Sequence, residues 1–275
     1  MALLKKNYTF SSKRNIWRLI PAESDLLVIE ERDTTTKEVF FNCLTLSEGK
    51  PVFKNLQLGE KYWIGIEAVH KNIIYFHKFN RPDLPGHKGI YAFDVFEKKV
   101  LWLNDDLQFL FADEDKVYSF QQTFEGRKFF VMDFLTGSLL SELKGDSSEL
   151  NKLRANVFQS DFLNSFLFPS IHDGILENGE VDKLINQILS EFNVEGNFSV
   201  IKHLGLILFS FHTKNSDGTY NNYFRVYDVE KEKYVLKETL NIKSKNLVPD
   251  SFFILRNLLF LLIEKNKLVV YRIMQ

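Results

Sequence analysis

The groups in this sequence that could do chemistry are concentrated in one polar segment, residues 80–88. Imidazole and carboxylate groups bind transition metals and transfer protons, and loops on a rigid scaffold often carry such groups. Two histidines and an aspartate from later in the chain are expected to approach this segment. The candidate ligand-binding face consists of Arg81, Asp83, His87, Lys88, His172, Asp173 and His212.

Metal binding on this face is not expected. None of the six histidines shows the short spacing typical of zinc ligands. Proline, aspartate and glycine are also the usual residues of turns, so their abundance in residues 80–88 needs no functional explanation. The sequence therefore predicts no metal.

A second group of charged residues interrupts apolar runs that are predicted to be inner strands. These are Glu67, Asp113 and Arg18. Two carboxylates that converge on a cleft can carry out acid–base catalysis, which makes these the candidate catalytic residues. Ion pairs that only stabilise a fold produce the same pattern, and this interpretation is favoured.

Composition excludes several classes of function. Lys plus Arg (35) and Asp plus Glu (36) nearly cancel, so no basic excess is available for nucleic acid. The single cysteine, Cys43, permits no intramolecular disulfide and fits a reducing cytoplasm. We expect no secretory signal and no membrane span, because the longest apolar run contains several charges. Phosphate-loop, dinucleotide, nucleophile-elbow and zinc-protease motifs are all absent.

The elements that would position these residues form an internal repeat. Apolar strands end at Ala22, Ala68 and Ala112, a period of about 45 residues that is typical of propeller blades. Three further predicted strands, separated by polar turns, follow each of these. Two more copies run from Ser199 to Leu240 and from Ser251 to the end of the sequence, and the last copy lacks one strand.

The missing strand is expected to come from the beginning of the sequence. Residues 3–10 precede the first copy and are not used by it, so we predict that they pair beside residues 267–273 and close a ring. The predicted fold is an all-β, single-domain β-propeller spanning residues 1–275. It has about five four-stranded blades, with six as the alternative.

Residues 145–195 break the repeat. Within them a helix is predicted, because six apolar residues recur at helical spacing on one face: Val181, Leu184, Ile185, Ile188, Leu189 and Phe192. This stretch is either a helical insertion or a degenerate sixth blade, and the insertion is favoured.

The segment YAFDVFEKKVLW resembles the quinoprotein-type propeller repeat and, more loosely, WD40-like repeats. The residues that carry the resemblance are Ala92, Asp94, Lys98 and Trp102, with weaker echoes in residues 132–137 and 227–229. Quinone-dependent dehydrogenases of that type are longer and carry a vicinal cysteine pair, which this chain lacks, so no quinone or other cofactor is expected. The whole chain is also similar to a small bacterial propeller family, a resemblance that implies a fold and no established activity.

Two functions remain open from the sequence. The first is a non-catalytic binding or scaffold propeller that engages a protein or small ligand through a loop-rich face containing residues 32–38, 80–88, 215–222 and 145–195. The alternative is a hydrolase or lyase at the mouth of the central channel, using Glu67 or Asp113 with His87 or Arg18. If these side chains prove to be paired with one another, the enzyme hypothesis fails.

Overall fold

The computed structural model describes residues 3–81, 84–143, 148–172 and 179–274. The chain forms two compact units. The first unit is Arg14–Leu163, and the second combines Met1–Lys13 with Asn164–Gln275. Strand β1 (Leu3–Ser11) opens the chain and belongs to the second unit.

The first unit contains three four-stranded antiparallel sheets, each with its strands in chain order. The first sheet is β2 (Asn15–Ala22), β3 (Leu26–Asp33), β4 (Glu38–Thr45) and β5 (Pro51–Leu56). The second sheet is β6 (Ile64–His70), β7 (Ile73–Arg81), β8 (Leu84–Asp94) and β9 (Lys99–Asn104). The third sheet is β10 (Gln108–Asp113), β11 (Lys116–Thr123), β12 (Gly126–Asp133) and β13 (Leu139–Leu143). The three repeats predicted from the sequence are therefore confirmed as meanders.

The cores between these sheets come largely from buried apolar side chains. Strand β3 is buried along almost its whole length, as expected for a strand covered on both faces. Phe41 of the first sheet meets Phe76 of the second edge-on, with ring centroids 4.7 Å apart. Phe53 and Phe93 repeat this contact at 5.9 Å, so aromatic side chains join the two sheets.

The residues that carry the propeller resemblance have structural roles. The Asp94 carboxylate accepts hydrogen bonds from the N–H groups of Phe96 and Glu97, which fixes the turn after β8. Trp102 pairs with Ala92 in the strand register, and its indole N–H donates to the carbonyl of Phe134 in the third sheet at 2.9 Å. The tryptophan therefore connects one repeat to the next.

Helices α1 (Ser148–Phe158) and α2 (Asp161–Asn164) follow the third sheet, and the first unit ends at Leu163, within α2. The second unit contains two five-stranded sheets. The fourth sheet is β15 (Ser170–His172), β16 (Val194–His203), β17 (Leu206–Lys214), β18 (Tyr220–Asp228) and β19 (Lys233–Ser244). The fifth sheet, in spatial order, is β1, β22 (Lys267–Met274), β21 (Leu258–Ile263), β20 (Phe252–Leu255) and β14 (Phe166–Leu167).

The predicted pairing of the chain's first and last strands is confirmed. Strand β1 runs antiparallel to β22, from Leu3 opposite Met274 to Ser11 opposite Lys267. The last repeat therefore obtains its missing strand from the beginning of the sequence. Since β1 covers the outer edge of β22, the backbone groups of β22 are paired on both sides.

The predicted helix is present as α3 (Glu180–Glu191). Its buried residues Val181, Leu184, Ile185 and Ile188 pack on apolar side chains of β16 and β17. Leu189 was expected on the same face but is 49% exposed, because the sheet contacts a narrower stripe of the helix than the spacing suggested. In the described part of residues 145–195, the two short strands β14 and β15 extend the fifth and fourth sheets.

One expected loop is instead largely strand, which is a correction to the sequence analysis. Strands β7 and β8 extend to Arg81 and Leu84, and His87 pairs with Phe79 across the ladder. The prolines of this segment indicated a turn, but its described residues continue the β7–β8 ladder, with an irregular register between Phe79 and Arg81. No helix in the described parts of the chain has the length and apolar character needed to cross a membrane.

Candidate functional site

The first unit contains a cavity of about 1190 Å³. One side is formed by the first strands of its three sheets, through residues 20–22 of β2, 67–70 of β6 and 109–113 of β10. The other side is formed by α1 and α2, through Leu153, Arg154, Val157, Phe158 and Phe162 among others. The cavity therefore lies between three strands, β2, β6 and β10, which we call the inner strands, and a helical cover formed by α1 and α2.

Some apolar side chains of the helical cover line the cavity and remain partly exposed. Helix α1 packs on the third sheet through Leu150 and Val157. Leu153 and Phe158 of the same helix line the cavity and remain 40% and 55% exposed. Phe96, from the turn after β8, also lines it and is 62% exposed. Exposed aromatic and aliphatic groups gathered around one concavity are typical of ligand sites.

Two of the three candidate catalytic residues share this cavity. Glu67 and Asp113 both line it. Arg18 does not line it, and its guanidinium instead donates a hydrogen bond to the carbonyl of Ile66. Nearby, the Lys71 ammonium pairs with Asp115 at 2.6 Å. The positive charge of Lys71, which lines the cavity, is thus partly neutralised by a carboxylate of the same unit.

Glu67 also belongs to a cluster with two histidines on neighbouring strands. His87 Nδ1 lies 2.5 Å from Glu67 Oε1. The His77 ring stacks against the His87 ring, with centroids 3.6 Å apart and an interplanar angle of 31°. One ligand-type atom from each of Glu67, His77 and His87 lies within 4.8 Å of the other two.

His77 is the member of this cluster that sequence reasoning missed. It lies in an apolar strand and is 2% exposed. Burial, as the largest effect, and the nearby His87 lower the pKa of His77 to about 4, although Glu67 acts in the opposite direction. The ring is therefore neutral at neutral pH and keeps a free nitrogen lone pair. The equal spacing of residues 67, 77 and 87 is the one sequence signal that could have revealed the cluster.

Gly65 makes room for the His77 ring. The two residues are opposite each other in β6 and β7. A methyl group at Gly65 would lie 2.7 Å from His77 Nε2, closer than side-chain carbons normally approach other atoms. The position of the ring thus depends on a glycine in the neighbouring strand.

The described side chains among the remaining residues of the expected ligand-binding face are not members of this cluster. Lys88 is exposed on β8. In the second unit, His172 Nε2 is 3.2 Å from Asp182, and His212 Nε2 accepts the N–H of Val248 at 3.1 Å. Asp83 and Asp173 lie outside the described residues, as does the side chain of Arg81. The expected approach of His172, Asp173 and His212 to residues 80–88 remains a prediction.

The repeated four-stranded antiparallel meanders, with an indole linking one repeat to the next, are those of a β-propeller, and the resemblance seen in the sequence is confirmed. A family model described as "Domain of unknown function (DUF4905)" matches residues 20–102. None of the curated proteins matches the chain.

Among solved structures, the chain is similar to a member of the DUF4221 family from Bacteroides vulgatus, at 9% identity and a TM-score of 0.35, over 99% of this chain and 98% of the other. It is also similar to Hsv2 from Kluyveromyces lactis, at 11% identity and a TM-score of 0.30, over 94% and 74% of the two chains. A europium-containing methanol dehydrogenase matches at 12% identity and a TM-score of 0.31, over 95% and 52%.

Proposed function

We propose that this chain is a binding protein whose ligand is a small molecule with an apolar body, held in the cavity of the first unit. The single observation that carries this proposal is the cavity of about 1190 Å³ between the inner strands and the helical cover. Its volume is somewhat larger than the usual range for small-molecule sites, about 300–1,000 Å³, so it has room for a ligand of that class.

The lining favours an apolar ligand with a polar end. Phe96, Leu153 and Phe158 present exposed apolar surface, and burying such surface against a ligand is favourable. Glu67 and Asp113 provide polar contacts at the strand side of the same space. A ligand that met both regions would be bound by apolar contact and oriented by hydrogen bonds.

The alternative of a hydrolase or lyase receives less support. It requires Glu67 or Asp113 to act with His87 or Arg18 as a free acid or base. Glu67 is instead paired with His87 at 2.5 Å, and Arg18 is engaged by the carbonyl of Ile66. Internal pairing of this kind is the usual property of charges that hold a structure together.

The finer architecture is part of the same proposal. The five sheets are taken as five blades of one propeller, which the pairing of β1 with β22 closes, while residues 145–195 are an insertion. Four antiparallel sheets with their strands in chain order, and a fifth sheet that β1 shares with β20, β21 and β22, support this arrangement. The unpaired and buried thiol of Cys43 is compatible with a reducing cytoplasm.

The ligand site can be tested with an apolar fluorescent probe, 8-anilinonaphthalene-1-sulfonate, and a substitution that fills the cavity. Ala68 lines the cavity on β6, whereas Ala155 is exposed on α1 and does not line it. We expect Ala68→Phe to weaken binding of the probe at least about tenfold, because the new ring occupies its space. Ala155→Phe is the matched control and should bind like the original chain.

Circular dichroism and cooperative unfolding would establish that both variants are folded. Equal probe binding by Ala68→Phe and the original chain would contradict the proposal, as would binding by neither. Natural ligands can then be sought by mass spectrometry of the small molecules that copurify with the original chain and are missing from Ala68→Phe.

A further inference from the structure

Three adjacent strands of the second sheet present metal-ligand side chains on the same face. His77 and Phe79 are alternate residues of β7 and so share a face, and His87 lies opposite Phe79. Glu67 reaches this face from β6, where the pairing register shifts between Ile66 and Ala68. Strand pairing therefore brings two imidazoles and one carboxylate together.

The surroundings of His77 are unusual for a histidine with a purely structural role. Its Nδ1 is buried and has no hydrogen-bond partner among the described residues. Buried polar atoms in folded proteins nearly always have a partner. A metal ion bound by the neighbouring groups would provide one, because it accepts the lone pair of a neutral imidazole nitrogen.

We infer that Glu67, His77 and His87 bind a divalent transition-metal ion, with Zn²⁺ the best match, through three protein ligands and one open position. Two histidines and one carboxylate form a known zinc ligand set, in which a water or ligand takes the fourth position. No ligand of this site is a cysteine, which makes a soft-metal site a poorer match.

The cluster needs only small side-chain movements to receive the ion. Zinc–ligand bonds are about 2.0–2.2 Å, so ligand atoms around the ion are about 3–4 Å apart. The 2.5 Å distance between Glu67 Oε1 and His87 Nδ1 must therefore lengthen. The largest distance between two ligand atoms of the cluster, which is at most 4.8 Å, must shorten. The His87 side chain is 41% exposed, so solvent leaves room for it to move, while the buried His77 is held by its packing.

The site adjoins the cavity through Glu67, which belongs to both. Its three ligands are defined by strand pairing alone, so the inference does not depend on the proposed small-molecule function. A ligand in the cavity that carries a carboxylate or another oxygen donor would be a candidate for the fourth position on the metal.

The test is a Zn²⁺ titration of the full-length chain after treatment with a chelator, in competition with a chromophoric chelator. We expect one Zn²⁺ per chain. Glu67→Gln and His87→Ala should each lower the affinity by more than about 100-fold, since loss of even an outer-shell group costs 10–100-fold. His203→Ala is the control. His203 is also a partly exposed histidine, but it ends β16 in the second unit and is not a member of the cluster, so its loss should leave the affinity unchanged.

X-ray absorption of the zinc-loaded original chain provides a measurement that does not rely on any variant. Backscattering from two imidazoles and an oxygen ligand supports the inference. A shell of oxygen ligands alone would overturn it. Absence of binding at millimolar Zn²⁺, or the same affinity in the original chain, Glu67→Gln and His87→Ala, would also overturn it.

Discussion

Replacing Gly137 with alanine should destabilise the chain strongly, because this glycine makes room for Trp102. Gly137 lies in the turn after β12 with φ +69, and a Cβ there would lie 2.5 Å from Trp102 Cδ2. The indole cannot simply move away, since its N–H is bonded to the carbonyl of Phe134.

The size of the effect follows from two separable contributions. The left-handed backbone conformation costs a residue with a side chain about 1–2 kcal/mol. Displacing a well-packed ring costs a further amount of about 1–3 kcal/mol, by analogy with overpacked cores. We therefore expect Gly137→Ala to lower the free energy of unfolding by about 2–5 kcal/mol.

Two other glycines separate these contributions. Gly205 has a similar φ, +73, and a methyl group added there would have no atom within 4 Å, so Gly205→Ala should show the backbone cost alone. Gly59 has neither a positive φ nor a close neighbour, and Gly59→Ala should change stability by less than about 0.5 kcal/mol.

The assay is urea unfolding of all three variants and the original chain, followed by circular dichroism and tryptophan fluorescence. The expected order of destabilisation is Gly137→Ala, then Gly205→Ala, then Gly59→Ala. If Gly137→Ala were no less stable than Gly205→Ala, the indole would not be held against the turn, and the link between the second and third sheets would be wrong.

Three further results are expected. Deletion of residues 1–10 should cause global destabilisation, because β22 loses its partner along the outer edge, and an unchanged melting temperature would refute the closure. Ile185→Ala removes a buried contact of α3 and should lower the free energy of unfolding by about 2–5 kcal/mol, whereas Leu189→Ala should lower it by less than about 0.5 kcal/mol. Equal losses of stability in urea unfolding would contradict the packing of α3. Burial raises the pKa of Cys43 to about 12, so the thiol stays protonated at pH 8 and should react with a thiol reagent only after unfolding. Rapid labelling of the folded chain would count against that burial.

The sequence was a good guide to the repeat because strand alternation and turns are local. Ala22, Ala68 and Ala112 mark the first strand of each meander, and the structure has a strand at each position. The pairing of the first strand with the last was also predictable from the number of strands in each repeat, because the final repeat lacks one strand. Residues 80–88 were predicted as a loop because proline and glycine indicate a turn, whereas the described residues of this segment continue the β7–β8 ladder with a shifted register.

The metal-ligand cluster and the cavity were decided by tertiary structure. Local patterns specify whether a residue lies in a strand and which neighbours share its face, and for the repeat this was sufficient. They do not specify the register between strands or the position of a bulge. Glu67, His77 and His87 meet because two hairpins align them, with register shifts beside Glu67 and His77. Helix α1 covers a cavity because it packs on the third sheet by one face only. These relations depend on the pairing and packing of separate strands and helices, which the pattern within each element does not specify.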